Sequence, residues 1–326
     1  MIENLWSSLR HGLSRSVKKL RVSLLAGMML ALSLGVGTAV ISVNAARWPA
    51  VLMMWKGAIR HDVPDAKYRE LGQQAQFNSV GLVRKADEPI GSCVLISPDW
   101  VLTAAHVVKG VPTSALTFEL NDTKVAASEV VIHPDYQPPG ADPKADPLAR
   151  KGMDLALVHL SQAITGIVPA ACYTRTGELG RIGTSVGFGR SGAGGAIVTN
   201  PSPVGTKRGG NNMIDAIGGE VAGRRVPDFL LVADFDHPDN PSLNKIGDAK
   251  PLSLEYMIVS GDSGGGLFIQ EKNDWFLVGI TVTGTIAIND DIQKDGIYGS
   301  LSYWMRVTLF NAWINQVMSG KPRERI

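Results

Sequence analysis

The chain has 326 residues, 44% of them hydrophobic and 19% charged, enough for one large all-β domain or two smaller ones with a sizeable core. Its net charge of +2 misleads, because residues 1–45 carry five bases (Arg10, Arg15, Lys18, Lys19, Arg21) against one acid, Glu3. Setting these aside leaves 27 of the 32 bases and 29 of the 30 acids, a net of −2, which argues against a nucleic-acid partner.

Residues 22–43 are almost wholly apolar and follow the basic stretch, and Val43-Asn44-Ala45 offers small residues where a signal peptidase reads. A secretory signal cleaved after Ala45 is expected. The run is also long enough to span a bilayer, so an uncleaved anchor is the alternative. Either way the remainder is expected outside the cytoplasm: secreted or periplasmic, or tethered to a membrane by this segment alone. Residues 46–74 read as a polar approach or propeptide segment with little periodicity. A folded domain is expected over 75–320, with a tail over 321–326.

From Ser79 onward short apolar runs alternate with glycine, proline and aspartate clusters. Strands are expected at 80–83, 93–96, 101–104, 130–132, 155–160, 184–188, 229–233, 266–269, 276–282 and 297–301. Many brief strands with turn chemistry between them indicate all-β barrels or sandwiches. Three long loops, 134–151, 189–212 and 234–251, interrupt the strands and are candidates to rim a cleft. The third holds Asp234, Asp236 and Asp239, whose spacing lacks the EF-hand pattern, so a solvated acidic loop is expected there and no metal site. One helix is expected near the end, where Val307, Phe310, Trp313, Ile314 and Val317 recur at three- and four-residue intervals before Gly320 and Pro322. The two cysteines, Cys93 and Cys172, are either a pair in an oxidising compartment or two separate thiols.

Three segments carry chemistry. A serine hydroxyl is a poor nucleophile alone, so a base must take its proton and an acid must hold that base. Ser263 lies in Gly261-Asp262-Ser263-Gly264-Gly265-Gly266, where glycines let a substrate approach the backbone. His106 closes the strand-like run ending Thr103-Ala104-Ala105-His106, and Asp154 opens another in Met153-Asp154-Leu155. The serine segment also fits the G-x-S-x-G elbow of α/β-hydrolases, but that family needs its histidine after the serine. All six histidines (His11, His61, His106, His133, His159, His237) precede Ser263, so the elbow reading fails. Gly183-Thr184-Ser185 faintly resembles the serine segment of subtilisin-like enzymes, yet it leads into a strand pattern instead of a helix. His133 and His159 have no comparable neighbours and read as structural or surface residues. The order left standing is His106, Asp154, Ser263.

That order is the one of the chymotrypsin-like proteases. Leu95 through His106 resembles the histidine segment of the trypsin-like (S1 family) serine proteases. Asp154-Leu155-Ala156-Leu157 is similar to the aspartate segment of that family, and Gly261 through Gly265 matches its serine segment. Gly296-Ile297-Tyr298-Gly299, followed by the terminal helix, resembles the end of the same domain. The likeness covers roughly residues 75 to 320, and its few cysteines resemble secreted bacterial members. It implies two antiparallel six-stranded β-barrels with a C-terminal α-helix and an active site in the cleft between them. His106 and Asp154 would come from the first barrel, Ser263 from the second.

The resemblance further implies a serine endopeptidase acting on protein or peptide substrates, with no cofactor. Ser263 would be the nucleophile, His106 the base and Asp154 the group that orients it, with the backbone N–H groups of Gly261 and Ser263 as the oxyanion hole. Met257 would lie at the base of the substrate pocket, with Thr283, Gly284 and Gly296 in its walls. Methionine cannot pair with a cation, so apolar or small residues are expected at the cleaved position. In many relatives a newly cut N-terminal ammonium pairs with the aspartate before the serine, here Asp262. The usual hydrophobic-Val-Gly-Gly start is missing and Ile59 is the nearest candidate, which leaves activation open. Rival readings are a catalytically silent binding module on the same scaffold, or a membrane-tethered processing factor.

Overall fold

The computed structural model describes residues 55–56, 58–137, 152–194, 197–198, 202–285 and 298–320, all within the unit Met54–Ile326. The expected signal or anchor over 1–45 lies outside the described residues, as do the 321–326 tail, 138–151 of the first long loop and Gly296. Among the described residues no helix is long and apolar enough to cross a membrane.

Six strands form the first barrel: β1 Val80–Lys85, β2 Glu88–Ser97, β3 Trp100–Thr103, β4 Leu116–Leu120, β5 Thr123–Ile132 and β6 Ala156–Leu160. Every pairing is antiparallel. The ladder closes in the order β1-β2-β3-β6-β5-β4. In β4, Leu116, Phe118 and Leu120 are fully buried while Thr117 and Glu119 are not, the period of two that a half-buried strand requires.

The second barrel holds β7 Ala171–Cys172, β8 Ile182–Gly187, β9 Arg208–Met213, β10 Ala216–Val221, β11 Arg224–Asp234, β12 Gly266–Glu271, β13 Asp274–Thr285 and β14 Leu301–Arg306. Its ladder runs β9-β8-β12-β13-β14-β11-β10, with the short β7 parallel to β13. The two ends of that path, β9 and β10, are separated only by Ile214 and Asp215. At this corner Ile214 N–H donates to Arg181 O and Asp215 N–H to Val232 O, each at 2.9 Å. One bent segment therefore bridges the ends, and no open sheet edge is left there. The circuit becomes β8, then β9 with β10, then β11, β14, β13 and β12. This is the connectivity of the first barrel over again.

The last strand begins at Leu301, where the expected 297–301 strand was to end, because Tyr298–Gly299 form a turn. A 3-10 turn, Val307–Phe310, then leads into a helix over Asn311–Met318. β9 falls partly inside what reads as a long loop, since Arg208-Gly209-Gly210-Asn211-Asn212 has no apolar alternation. The two cysteines do not pair: Cys93 is buried in β2 of the first barrel, while Cys172 sits half-buried in β7 of the second. Burial pushes both thiols up to about 12.

The 46–74 stretch is not a loose approach from residue 58 onward. Asp65–Gly72 is a helix, α1, missed because only Tyr68 and Leu71 mark an apolar side. Met257 N–H donates to Ala58 O at 2.9 Å and Gly194 N–H to Ile59 O at 2.7 Å, so the chain before α1 is stitched onto the second barrel. Tyr68 O–H donates to Glu255 O at 2.9 Å. Asp65 accepts from the Arg208 guanidinium at 2.6 and 3.1 Å, and the Arg208 side chain is only 4% exposed. Asp65→Ala leaves that cation without its partner, and its unfolding midpoint in urea should fall by the equivalent of about 2 kcal/mol. A midpoint equal to wild type would show that α1 does not help hold the barrel.

Candidate active site

Three chain segments deliver the expected residues to one place. β3 ends at Thr103, and the chain turns into a single helical turn, Ala105–Val108, that carries His106. Asp154 precedes β6, and Ser263 precedes β12. His106 Nδ1 lies 2.7 Å from Asp154 Oδ2, and His106 Nε2 lies 2.9 Å from Ser263 Oγ. A carboxylate can only accept, so Nδ1 carries the proton and, in the neutral ring, Nε2 is left to accept from the serine hydroxyl. The His106 backbone N–H donates to Asp154 Oδ1 at 2.9 Å, which fixes the carboxylate against the helical turn as well. Asp154 is fully buried, while the His106 side chain remains 26% exposed. The carboxylate is thus sheltered while part of the imidazole stays open to solvent.

The serine turn is closed by Asp262 N–H to Val259 O at 3.0 Å and Gly265 N–H to Asp262 O at 2.8 Å. Among the described residues the amides of Gly261 and Ser263 donate to no backbone carbonyl. Gly261 adopts φ +99° and Gly264 φ +86°, a region that residues with a Cβ rarely enter. At Gly264 space excludes a side chain too, since a Cβ would lie 2.0 Å from Ser92 O.

Ser92, in β2, joins the two barrels at this turn, and no sequence motif marks it. Its N–H donates to Ser263 O at 2.8 Å, and its hydroxyl donates to Gly261 O at 2.9 Å. The same hydroxyl accepts from Phe188 N–H at 3.0 Å, while Thr103 Oγ1 donates to Ser92 O at 2.8 Å. Among the described residues, Asp262 finds its partners within the chain. Its carboxylate accepts from Tyr256, Val259 and Gly189, whereas the Ile59 N–H donates to Gly192 O at 3.3 Å.

Of the expected pocket residues, Met257 is buried against Phe235 and Tyr298, with Leu243 packed alongside. A Cβ on Gly284 would lie 2.9 Å from Met257 Cε, so those two positions face each other closely. Thr283 pairs with Tyr303 across β13 and β14. His133 packs against Trp313 and Phe310, and His159 lies 2.9 Å from Ser128 Oγ, both away from Ser263.

The acidic loop is not the solvated one expected. Asp239 is exposed, but Asp234 and Asp236 are buried beside Asp215 and Glu255. The reason is local: Asp234 closes β11, and its Oδ2 accepts from Lys245 N–H at 2.6 Å, which pulls the loop back over it. Among the described residues no three histidine, cysteine or acidic side chains are arranged to hold a metal ion. Burial, then Asp234 and Asp236, push the Asp215 carboxyl up to about 7. Burial, then Asp234 and Asp248, do the same to Asp236. Glu255 rises to about 9, chiefly from burial, with Asp236 and Asp234 adding to it.

A family model described as Trypsin matches residues 71–216, a span that holds His106 and Asp154 and stops short of Ser263. Among solved structures the chain is similar to neuropsin, a serine protease expressed in the limbic system of mouse brain. The TM-score is 0.53 and the identity 17%, over 80% of this chain and 98% of that one, a likeness of fold.

Raised carboxyl groups favour the folded state while protonated and oppose it once ionised. Their contribution is therefore complete below the ordinary carboxylate range and is lost as pH rises through about 7 for Asp215 and Asp236 and about 9 for Glu255. Glu255→Gln mimics the neutral form at every pH. Its melting temperature should exceed wild type's at about pH 9 and the gap should shrink toward about pH 5. A gap that stays constant with pH would contradict this assignment.

Proposed function

We propose that this chain, which matches a trypsin family model over residues 71–216 and shares the fold of a serine protease, is a trypsin-like serine endopeptidase that cleaves peptide bonds through an acyl-enzyme formed on Ser263. The observation that carries the reading is the hydrogen-bonded line Asp154–His106–Ser263, at 2.7 and 2.9 Å. Ser263 Oγ attacks the scissile carbonyl while His106 Nε2 takes its proton and later gives one to the leaving amine. Asp154 keeps the proton on Nδ1 before the attack and stabilises the imidazolium after it. Its complete burial removes competing water from that interaction. The N–H groups of Gly261 and Ser263 stabilise the oxyanion, and a single donor of this kind is worth about 10²–10³ in rate.

Met257, buried and backed by Phe235 and Tyr298, gives the pocket a thioether floor with no counter-charge. Apolar or small residues at the cleaved position are favoured over Lys or Arg, whose charge would be buried without a partner. Gly284 and Thr283 form the wall beside it, and family resemblance adds Gly296. The protease domain reaches residue 320 and takes in 58–74, because α1 is stitched to it. Residues 1–45 direct secretion or anchor the enzyme with the domain outside the cytoplasm, where proteins and peptides are the substrates.

Hydrolysis of a peptide library, with kcat/KM for the best sequence, tests both parts. Ser263→Ala, His106→Ala and Asp154→Asn should each lower kcat by about 10⁴ or more, the size of loss usual for such a triad. Undiminished turnover by Ser263→Ala would overturn the function. A profile dominated by Arg or Lys would overturn the pocket alone.

A further inference from the structure

Resting on that proteolytic reading, we infer that Tyr256 is a positioning residue that sets the nucleophile turn by holding Asp262 through its hydroxyl. Asp262 stands between Gly261 and Ser263 and is 1% exposed. Its Oδ2 accepts from Tyr256 O–H at 2.8 Å and from Val259 N–H at 2.9 Å, and its Oδ1 from Gly189 N–H at 2.8 Å. On the Gly189 side the backbone closes over the carboxylate, since a Cβ there would lie 2.5 Å from Asp262 Cγ. A buried carboxylate is tolerable only with such donors. Two of the three are peptide groups. The third alone is a side chain.

Tyr256 is itself immobilised. It is 1% exposed, and Gly210 packs so closely that a Cβ there would lie 2.1 Å from Tyr256 Cβ. The Asp262 backbone closes the turn around Ser263, so a rotation of its side chain would re-aim the Gly261 and Ser263 amides. All three donors belong to the uncut chain, in which Ile59 N–H is engaged by Gly192 O. The hold thus needs no newly made N-terminus.

The charged and titratable groups that face Asp262 are Tyr256 and, from β9, Arg208, which is itself paired with Asp65 of α1. Burial pushes the Asp262 carboxyl up to about 6, opposed by its three donors and by Arg208. The ionised form accepts all three bonds, so acidification through that range loosens the turn. Loss of the Tyr256 hydroxyl removes one of the groups that keep the carboxyl ionised, which moves the loosening to higher pH.

Tyr256→Phe and Tyr68→Phe make a matched pair, because each deletes one buried tyrosine hydroxyl and only the first touches Asp262. Steady-state kinetics on a peptide substrate across pH, alongside melting temperatures, should separate them. Tyr256→Phe is expected to lower kcat about 10- to 100-fold with KM within about threefold, and to move the acid limb of kcat upward. Tyr68→Phe should lose comparable melting temperature while its kcat stays within about threefold of wild type. Asp262→Asn, probing the same contact from the other side, should repeat the loss in kcat. Equal losses in the two tyrosine variants, or wild-type kcat and acid limb in Tyr256→Phe and Asp262→Asn, would overturn the inference and leave the protease reading standing. A wild-type protein whose turnover is absent, or survives Ser263→Ala, would sink both together.

Discussion

The hydrogen bonds that Ser92 makes across the seam tie the two barrels together at the serine turn, and the contact between His106 and Ser263 depends on that tie. His106 and Asp154 belong to the first barrel and Ser263 to the second, so their line of 2.7 and 2.9 Å bonds tolerates little relative slip. Ser92 removes the slip at the point where it matters, by bonding to the backbone of both Ser263 and Gly261. Gly264 lets the strands come that close. Because Ser92 is fully buried, each of these bonds costs more to break than one at the surface.

Both barrels share one connectivity, yet each contributes a different kind of group. The first offers the His106 imidazole on the helical turn after its third strand and the Asp154 carboxylate before its sixth. The second offers the Ser263 hydroxyl in the turn before the segment equivalent to the first barrel's fourth strand. The second barrel also carries more unusual electrostatics. Asp262 and the corner of Asp215, Asp234, Asp236 and Glu255 gather buried carboxyl groups whose hold on a proton is strengthened by desolvation. In the first barrel the one carboxylate fully buried at the site, Asp154, is met at once by His106.

The meeting of Ser263, His106 and Asp154 was legible in the sequence because each sits in a local motif of one family, and the structure brings their side chains together. The terminal helix was legible from its spacing, and most strands from short apolar runs. What escaped were features built from partners distant in the chain. Ser92 reads as an ordinary polar strand residue until Gly261, 169 positions later, is laid against it. Tyr256 and Asp262 are six residues apart, but the hydroxyl's aim depends on Gly210 and α1. In β9, Gly210 leaves its space to Tyr256 and Gly209 lies against Leu71 and Gly72 of α1, so the strand's sequence mimics a loop. The carboxylates of 234–251 suggest a wet loop because composition says nothing of what folds back over them.

The central claim is that Ser263 is a nucleophile activated by His106 across the seam, and covalent labelling by a fluorophosphonate followed by peptide mapping tests it most directly. One phosphonyl group should be found per chain, on Ser263, with labelling abolished in His106→Ala. Modification at another residue, or labelling of Ser263 that is undiminished without the imidazole, would contradict it.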